Sequence, residues 1–290
     1  MHKTKRYPIY FLFPALLIFS VFFIIPTIQG FYYGLTNWNT YAENIDFVGV
    51  QNFIELFQEG VLPLAFKNTL IYSVLTTFLL NIVGLALALA LNEKIKTGGF
   101  FRTIYYVPVV IAPLIVGYIF TAIYNPTTGI LNQFLNAVGL DFLAQEWLSN
   151  SKIAIFSIIG TEVWRSSGYS MIIYLAGIKT ISNDLLEQSE IDGSNYFQKC
   201  KNIIFPMIAP TFTVNLLVTM ISSLKVFEAV LILTQGGPGY DTEVINTFIY
   251  RKFAGGNWGY ASAAGFLQSI FIGVISIAVL RFLRKREVDL

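Results

Sequence analysis

Charged and hydroxyl side chains interrupt two long apolar runs in the second half of the chain. They are Glu162, Arg165, Ser166, Ser167 and Tyr169 in one run, and Asn215, Thr219, Ser222, Ser223, Lys225 and Glu228 in the next. Ionisable groups at membrane depth are costly and commonly line a solute or ion path. We therefore take these residues as candidates for binding a polar ligand. No nucleophile–base pair and no Gly-Lys-Ser/Thr phosphate loop accompanies them, which argues against covalent or nucleotide chemistry in this chain.

The elements that must carry these residues follow from composition and run length. The chain has 290 residues, is 55% hydrophobic and only 12% charged, whereas soluble domains average about 25% charged residues. Runs of about 20 apolar residues match the ~30 Å hydrocarbon layer of a membrane. We predict an all-α integral membrane protein, a single transmembrane domain over residues 1–290 with six spans. The predicted spans are 9–33, 69–91, 107–124, 153–178, 208–233 and 260–283.

Several classes of site are excluded by counts alone. A single cysteine, Cys200, cannot form an internal disulfide, and one Cys with one His makes a His/Cys metal site improbable. The net charge of +2 is too small to indicate a nucleic-acid partner. The first span is too long and too aromatic for a cleaved signal peptide, so we expect a retained anchor. Pro108 and Pro113 are predicted to kink the third span.

The distribution of lysine and arginine predicts the orientation. With the N-terminus inside, 13 of the 19 basic residues lie in inner segments. These are Lys3, Lys5, Arg6, Lys94, Lys96, Arg102, Lys179, Lys199, Lys201, Arg281, Arg284, Lys285 and Arg286. The outer segments hold only Lys67, Lys152, Arg251 and Lys252. By the positive-inside rule, both termini are expected in the cytoplasm.

Three outer segments carry local patterns. Residues 47–57 place apolar residues at helical spacing, which predicts a helix along the outer membrane interface. Residues 125–140 open with turn residues and continue as an amphipathic piece. Residues 234–245, TQGGPGYDTEVI, are rich in glycine and proline and are predicted to form a loop.

A polar segment, LLEQSEIDGSNYFQKCKNIIFP at 185–206, separates the fourth and fifth spans. Ser182 or Asn183 can cap a helix here, and Gly193 can take the positive φ that ends one. A second helical pattern follows, and Pro206 disfavours its continuation. We predict a helix, a tight turn and a helix over residues 182–206 on the cytoplasmic face. Such a hairpin can dock on another protein or can be a solvated loop, and the residues alone leave both interpretations open.

The spacing of this segment resembles the EAA motif of ABC-transporter inner-membrane permeases. The motif positions are taken by Glu187, Gln188, Ser189, Gly193, Ile203 and Pro206. Gln188 and Ser189 replace two alanines, and the bulk of Gln188 leaves its effect on the fit open. Other segments, such as VWRSSGYSMIIYLAGI and FEAVLILTQGGPGYDTEVINTFIY, resemble the carbohydrate-importing branch, in which a second, similar permease completes the pore. The resemblance extends over about residues 10–286.

The resemblance implies a type I importer permease of a bacterial inner membrane, without enzymatic activity or a cofactor. The implied partners are a second homologous permease, two cytoplasmic ABC ATPase subunits, an extracellular or periplasmic sugar-binding protein, a carbohydrate substrate and membrane lipid, with no nucleic acid. The implied ATPase-coupling residues are Leu186, Glu187, Ser189, Ile191, Asp192, Gly193, Tyr196, Phe197, Ile203 and Pro206. The implied substrate path comprises Glu162, Arg165, Ser166, Tyr169, Thr219, Ser222, Ser223 and Glu228.

Each path residue has a structural alternative. Serine and threonine can bond to their own helix or pack against a neighbour. Arg165 could pair with Glu162, and Lys225 could pair with Glu228, because each pair is three residues apart. For the whole chain, the alternative is a secondary transporter driven by an ion gradient. That class tends to show internal repeats, and we find no convincing repeat here.

Overall fold

The computed structural model describes residues 9–92 and 97–284, and every regular element in that part of the chain is helical. The predicted inner charges Lys3, Lys5, Arg6, Lys94, Lys96, Lys285 and Arg286 lie outside the described residues. The described chain separates into two compact units. One comprises residues 9–62 and 248–270, and the other comprises residues 63–92, 97–247 and 271–284.

Three helices are long and apolar enough to cross a membrane, or up to five if each of two bent pairs counts as one span. The three are Tyr10–Gly34, α4 (Val61–Asn92) and α15 (Trp258–Arg284), which correspond to the first, second and sixth predicted spans. The first consists of a 3-10 turn Ile9–Leu12, α1 (Phe13–Phe19), a π-helical turn Ser20–Ile24 and α2 (Ile25–Gly34). The all-helical membrane fold is thus confirmed, while the number of six spans stays a prediction.

In the first unit, two helix ends approach each other closely. A β-carbon on Gly259 would lie 2.4 Å from the carbonyl oxygen of Thr36, so only glycine fits there. The Gly259 amide donates to the Trp38 carbonyl over 2.7 Å. The predicted amphipathic piece at 47–57 forms α3 (Gln51–Gln58). From it, the buried Asn52 amide donates to the carbonyls of Gly34 and Thr36, 2.8 Å each, which satisfies the end of α2.

The second unit is built around α8 (Ala154–Ile178), which matches the fourth predicted span. A β-carbon on Gly168 would lie 2.0 Å from the carbonyl oxygen of Tyr105, so glycine allows α5 (Gly98–Val110) to pack directly on α8. Small residues commonly permit such close helix contacts in membranes. Further helices of this unit are α7 (Ile130–Ala137), α9 (Asn183–Ile191), α10 (Tyr196–Lys199), α11 (Phe205–Met207), α12 (Ala209–Leu224) and α13 (Glu228–Leu233). Helix α14 (Ile245–Ala254) begins in this unit, and its residues from Phe248 onwards belong to the first.

The third predicted span is broken rather than continuous. It consists of α5 and α6 (Pro113–Ile123), which meet at an angle of 96°. Ile111 and Ala112 adopt extended conformations before Pro113, as expected because proline disfavours the α conformation in the residue before it. Pro108, the other predicted kink site, lies inside α5 without ending it.

The fifth predicted span is also wrong as one helix, because α12 ends at Leu224 and α13 begins at Glu228. The break frees backbone carbonyls, which must be satisfied at membrane depth. Asn246 of α14 supplies the donors: its amide nitrogen lies 2.8 Å from the Lys225 carbonyl and 3.2 Å from that of Val226. A distant side chain therefore stabilises a break that no proline or glycine marks.

Pro206 does not end the second helix of the polar segment, contrary to prediction. A π-helical turn, Cys200–Ile204, precedes it, and the Phe205 amide bonds to the Cys200 carbonyl. This wider turn accommodates the proline, and the helical run continues to Met207. The following bend of 69° leads into α12.

Candidate functional site

All eight residues of the predicted substrate path line one cavity of about 320 Å³ in the second unit. They are Glu162, Arg165, Ser166 and Tyr169 on α8, Thr219, Ser222 and Ser223 on α12, and Glu228 at the start of α13. Residues on α8 at i, i+3, i+4 and i+7 share one helix face, which explains how the first four converge. The broken fifth span brings Lys225, Phe227 and Glu228 to the same space.

Glu162 and Arg165 form a bidentate ion pair on the cavity wall. Arg165 Nε donates to Glu162 Oε2 over 3.1 Å, and Nη2 donates to Oε1 over 2.7 Å. The Ser166 hydroxyl donates to the same Oε1 over 2.7 Å. The two charged side chains are only 20% and 19% exposed. Arg165 therefore pairs with Glu162, which is the structural alternative predicted for it.

Lys225 and Glu228 behave differently, since the helix break separates them. Lys225 is the residue after α12, and Glu228 opens α13, so they do not share one helix face as the sequence spacing suggested. Within residues 9–92 and 97–284, no ion pair joins them. Both residues are exposed and line the cavity.

The hydroxyl residues differ in how they are satisfied. Thr219 is buried, and its hydroxyl donates to the Asn215 carbonyl of its own helix over 2.8 Å. Ser223 is also buried, whereas Ser222 is exposed to the cavity. Thr219 thus bonds to its own helix, as the structural alternative predicted. Ser222 is the hydroxyl best placed to meet a ligand.

Sequence reasoning missed the contribution of α4. Tyr72 of this helix is 1% exposed and lines the cavity. Further along, Asn81 joins three helices: its Oδ1 accepts from Tyr174 of α8 over 2.5 Å and from Asn215 of α12 over 3.0 Å. The sequence of α4 shows the polar residues that are buried in the structure. Treating polar residues at membrane depth as candidates, as was done for the fourth and fifth spans, would have identified them.

The polar segment 182–206 forms the predicted hairpin. Its first helix, α9, ends with Gly193 at a φ of +77°, and the Ser194 and Gly193 amides bond to the carbonyls of Ser189 and Glu190, 3.0 Å each. This is the helix ending that glycine favours. Asn195 and Gln198 then form a reciprocal capping box at the start of α10. An ion pair between Lys199 and Glu190 joins the two helices.

The ten predicted coupling residues divide into two groups. Leu186 and Ile203 pack against the buried cluster that includes Tyr174, Ile178 and Cys200, and Ser189 is buried with its hydroxyl bonded to the Leu186 carbonyl. In contrast, Ile191 is 86% and Phe197 82% exposed. The remaining five, Glu187, Asp192, Gly193, Tyr196 and Pro206, are exposed. The sequence could not distinguish the group that supports the hairpin from the group that it presents.

Comparisons with known proteins agree with this architecture. A profile of the family described as "Binding-protein-dependent transport system inner membrane component" matches residues 80–288. The chain is 34% identical over 287 residues, 98% of each protein, to the probable ABC transporter permease YurN of Bacillus subtilis. The chain belongs to this permease family.

Two further relatives of the permease are informative. It is 34% identical to AmyD of Thermoanaerobacterium thermosulfurigenes, a probable permease of a system for starch degradation products, over 97% of the chain and 94% of the relative. It also superimposes with a TM-score of 0.83 and 29% identity on a bacterial ABC transporter involved in import of the acidic polysaccharide alginate, covering 95% of this permease and 94% of that chain. Within residues 9–92 and 97–284, the permease contains no group of three His, Cys, Asp or Glu residues that could hold a metal ion.

Proposed function

We propose that this permease is a pore-forming subunit of an ATP-driven sugar importer. The description of its family is that of a binding-protein-dependent transport system. A relative at 34% identity is a probable permease for starch degradation products. The observation that carries the proposal is the convergence of all eight predicted path residues on one cavity. Its mixture of aromatic surface and hydroxyl groups suits the apolar faces and hydroxyls of a sugar, and an oligosaccharide is the substrate that we expect.

The hairpin is the proposed joint to the ATPase. Ile191 and Phe197 are 86% and 82% exposed, and large apolar side chains of this kind contribute binding energy when a partner covers them. Glu187 is exposed, and within the described chain its carboxylate has no ion pair, so it is available to a basic residue of the ATPase. Closure of two ATPase subunits on ATP would move this hairpin and bias the helices between outward-open and inward-open states.

The remaining assembly follows from the same proposal. A second homologous permease completes the pore, two ABC ATPases bind the hairpins, and an extracellular or periplasmic binding protein delivers the sugar. The permease lies in the bacterial cell membrane with both termini in the cytoplasm, which is supported by the bias of lysine and arginine towards the inner segments. ATP hydrolysis belongs to the partner subunits, and the permease supplies no covalent chemistry.

Co-purification tests this assignment. The tagged permease, expressed with its neighbouring transport genes, is expected to bring along an ATPase and a second permease. Glu187→Lys is expected to reduce ATPase recovery by at least tenfold, because it places like charges opposite each other. Glu146→Lys makes the same charge change at an exposed position outside the hairpin and should leave recovery unchanged. Purification as a stable homodimer that transports on a proton gradient would instead support a secondary transporter.

A further inference from the structure

The cavity carries four charged side chains, and their signs balance. Glu162 and Glu228 are acidic, whereas Arg165 and Lys225 are basic. A site built to hold an anionic sugar needs a cation that is not already neutralised, since burying a ligand carboxylate without a partner is costly. The charge of the cavity therefore bears on which class of sugar it accepts.

The guanidinium of Arg165 is committed to the protein. Two of its nitrogens donate to both carboxylate oxygens of Glu162, at 3.1 and 2.7 Å, and Ser166 adds a third donor at 2.7 Å to that carboxylate. Bidentate pairing of this kind is the geometry that Arg165 would otherwise offer to a ligand carboxylate or phosphate. An anionic sugar could use Arg165 only by displacing Glu162 into a largely enclosed space.

Lys225 has no ion pair within the described residues, but Glu228 balances its charge in the cavity. It is the other cation of the cavity, and Glu228 lines the same cavity. The backbone between them is held by the Asn246 amide, which bonds to the Lys225 and Val226 carbonyls. A sugar carboxylate that approached Lys225 would thus enter a space that already contains a free carboxylate.

Beyond the Glu162–Arg165 pair and the oppositely charged Lys225 and Glu228, the cavity groups that can meet a ligand are uncharged. Ser222 is exposed, Tyr169 presents 39% of its surface, and Phe227 adds a second aromatic ring to the lining. Hydroxyl and aromatic groups meet the hydroxyls and C–H faces of neutral sugars. We propose that this cavity accepts neutral saccharides and discriminates against saccharides that carry carboxylate or phosphate groups. This inference rests on the proposed function and sets the permease apart from the alginate transporter that it superimposes on.

Saturation-transfer NMR on the complete complex in lipid nanodiscs, without the binding protein, measures the weak direct binding that the test requires. The neutral probes are pentasaccharides of glucose, xylose, mannose and galactose, and the acidic probes are pentasaccharides of mannuronate and galacturonate. At least one neutral probe is expected to bind at least tenfold more tightly than either acidic probe. Neutral binding should be unchanged between 50 and 500 mM salt, since it involves no net charge.

Two variants shift the charge of the cavity. Glu162→Gln and Glu228→Gln each leave one cation unopposed, so each is expected to strengthen acidic binding at least tenfold and to make it sensitive to salt. Within the described residues, Glu228 has no ion pair to lose, which keeps the test valid if Glu162→Gln does not fold. Glu146→Gln removes a carboxylate outside the cavity and should change neither class of binding.

The outcomes separate the inference from the proposed function. Tighter binding of an acidic probe by the unaltered complex overturns the neutral assignment and leaves the sugar importer intact. Equal acidic binding before and after both cavity substitutions also overturns it. If no probe of either class binds, the cavity is not a saccharide site, and the inference fails together with the substrate path proposed above.

Discussion

The cavity and the hairpin differ in the residues that stand out from their surroundings: charged residues in the cavity and apolar residues in the hairpin. The cavity places an ion pair, Glu162 and Arg165, on helices in which most neighbours are apolar. The hairpin places Ile191 and Phe197 on a polar segment, where they are more than four-fifths exposed. In the cavity Glu162 and Arg165 satisfy each other, whereas in the hairpin nothing in the described chain covers these two apolar side chains. A small ligand can enter the first, and we propose a protein surface as the partner of the second.

The largest effect is expected from breaking the ion pair of the cavity. Glu162→Ala leaves the enclosed Arg165 without its partner, which should lower the free energy of unfolding by about 3 kcal/mol and abolish sugar uptake. Thermal melting followed by tryptophan fluorescence measures the first effect. The double variant Glu162→Ala, Arg165→Ala removes both charges and should recover much of the stability but not the uptake. A double variant as unstable as the single one would contradict the assigned pairing.

The next effect concerns the exposed apolar residues of the hairpin. Phe197→Ser should leave permease stability within about 0.5 kcal/mol, as for most surface substitutions. It should weaken ATPase binding more than tenfold, because covering such a side chain contributes about 1.5–3 kcal/mol. Titration of purified ATPase against the permease in nanodiscs gives the affinity.

The matched control for that variant is Phe142→Ser, which alters a phenylalanine that is 74% exposed on a segment predicted to lie on the outer side. It should leave ATPase affinity unchanged. An equal loss in both variants would show that the hairpin is not the specific contact.

A smaller effect is expected at the turn of the hairpin. Gly193 and Gly139 both have a φ of +77° and open space around the position of a β-carbon. Gly193→Ala and Gly139→Ala should therefore cost the same local strain, about 1 kcal/mol. Only Gly193→Ala should reduce ATPase affinity, by roughly fivefold, since 1 kcal/mol corresponds to that factor. A matching loss with Gly139→Ala would mean that backbone strain acts globally rather than on the coupling surface.

The smallest effect belongs to the ion pair of Lys252 and Glu59, whose side chains are 23% and 34% exposed. Burial tends to raise the pKa of Glu59, but hydrogen bonds from Lys252 and Tyr260 outweigh it, so the pKa is lowered from 4.5. The pair thus stabilises the protein above pH 4.5, and its contribution is lost as the pH falls through the lowered pKa. The loss should be under about 1 kcal/mol.

Melting of the unaltered permease and of Glu59→Gln from pH 7 to pH 3 checks this sign. The variant should melt slightly lower at neutral pH, and the two curves should converge in acid. If the difference in melting temperature between the two proteins grew as the pH fell, the assigned pairing of Glu59 would be contradicted.

The sequence predicted the helical elements well where the apolar runs are uniform. The fourth and sixth predicted spans match α8 and α15 within two residues at each end. The break at residues 225–227 could not be predicted, because the carbonyls that it frees are satisfied by Asn246 from another helix. Local patterns do not reveal a partner twenty residues away.

The candidate site shows the same limit. Membrane depth and residue type identified eleven candidates, since polar groups in apolar runs are conspicuous, and the eight path residues are those that the family resemblance implied. Tyr72 lines the cavity and Asn81 bonds to α8 and α12 because of how α4 packs. The residue pattern of one helix does not determine that packing. Likewise, Leu186 and Phe197 are both apolar hairpin residues, but only the structure separates the supporting residue from the exposed one.

ATP-driven sugar uptake into proteoliposomes tests the central proposal most directly. The complete complex is reconstituted with its binding protein, ATP is supplied on the hairpin side, and ionophores remove every ion gradient. Uptake is expected with ATP, none is expected with ADP, and Phe197→Ser should reduce uptake at least tenfold while Phe142→Ser does not. Uptake that needs a proton or sodium gradient and ignores ATP would contradict the assignment as an ABC importer subunit.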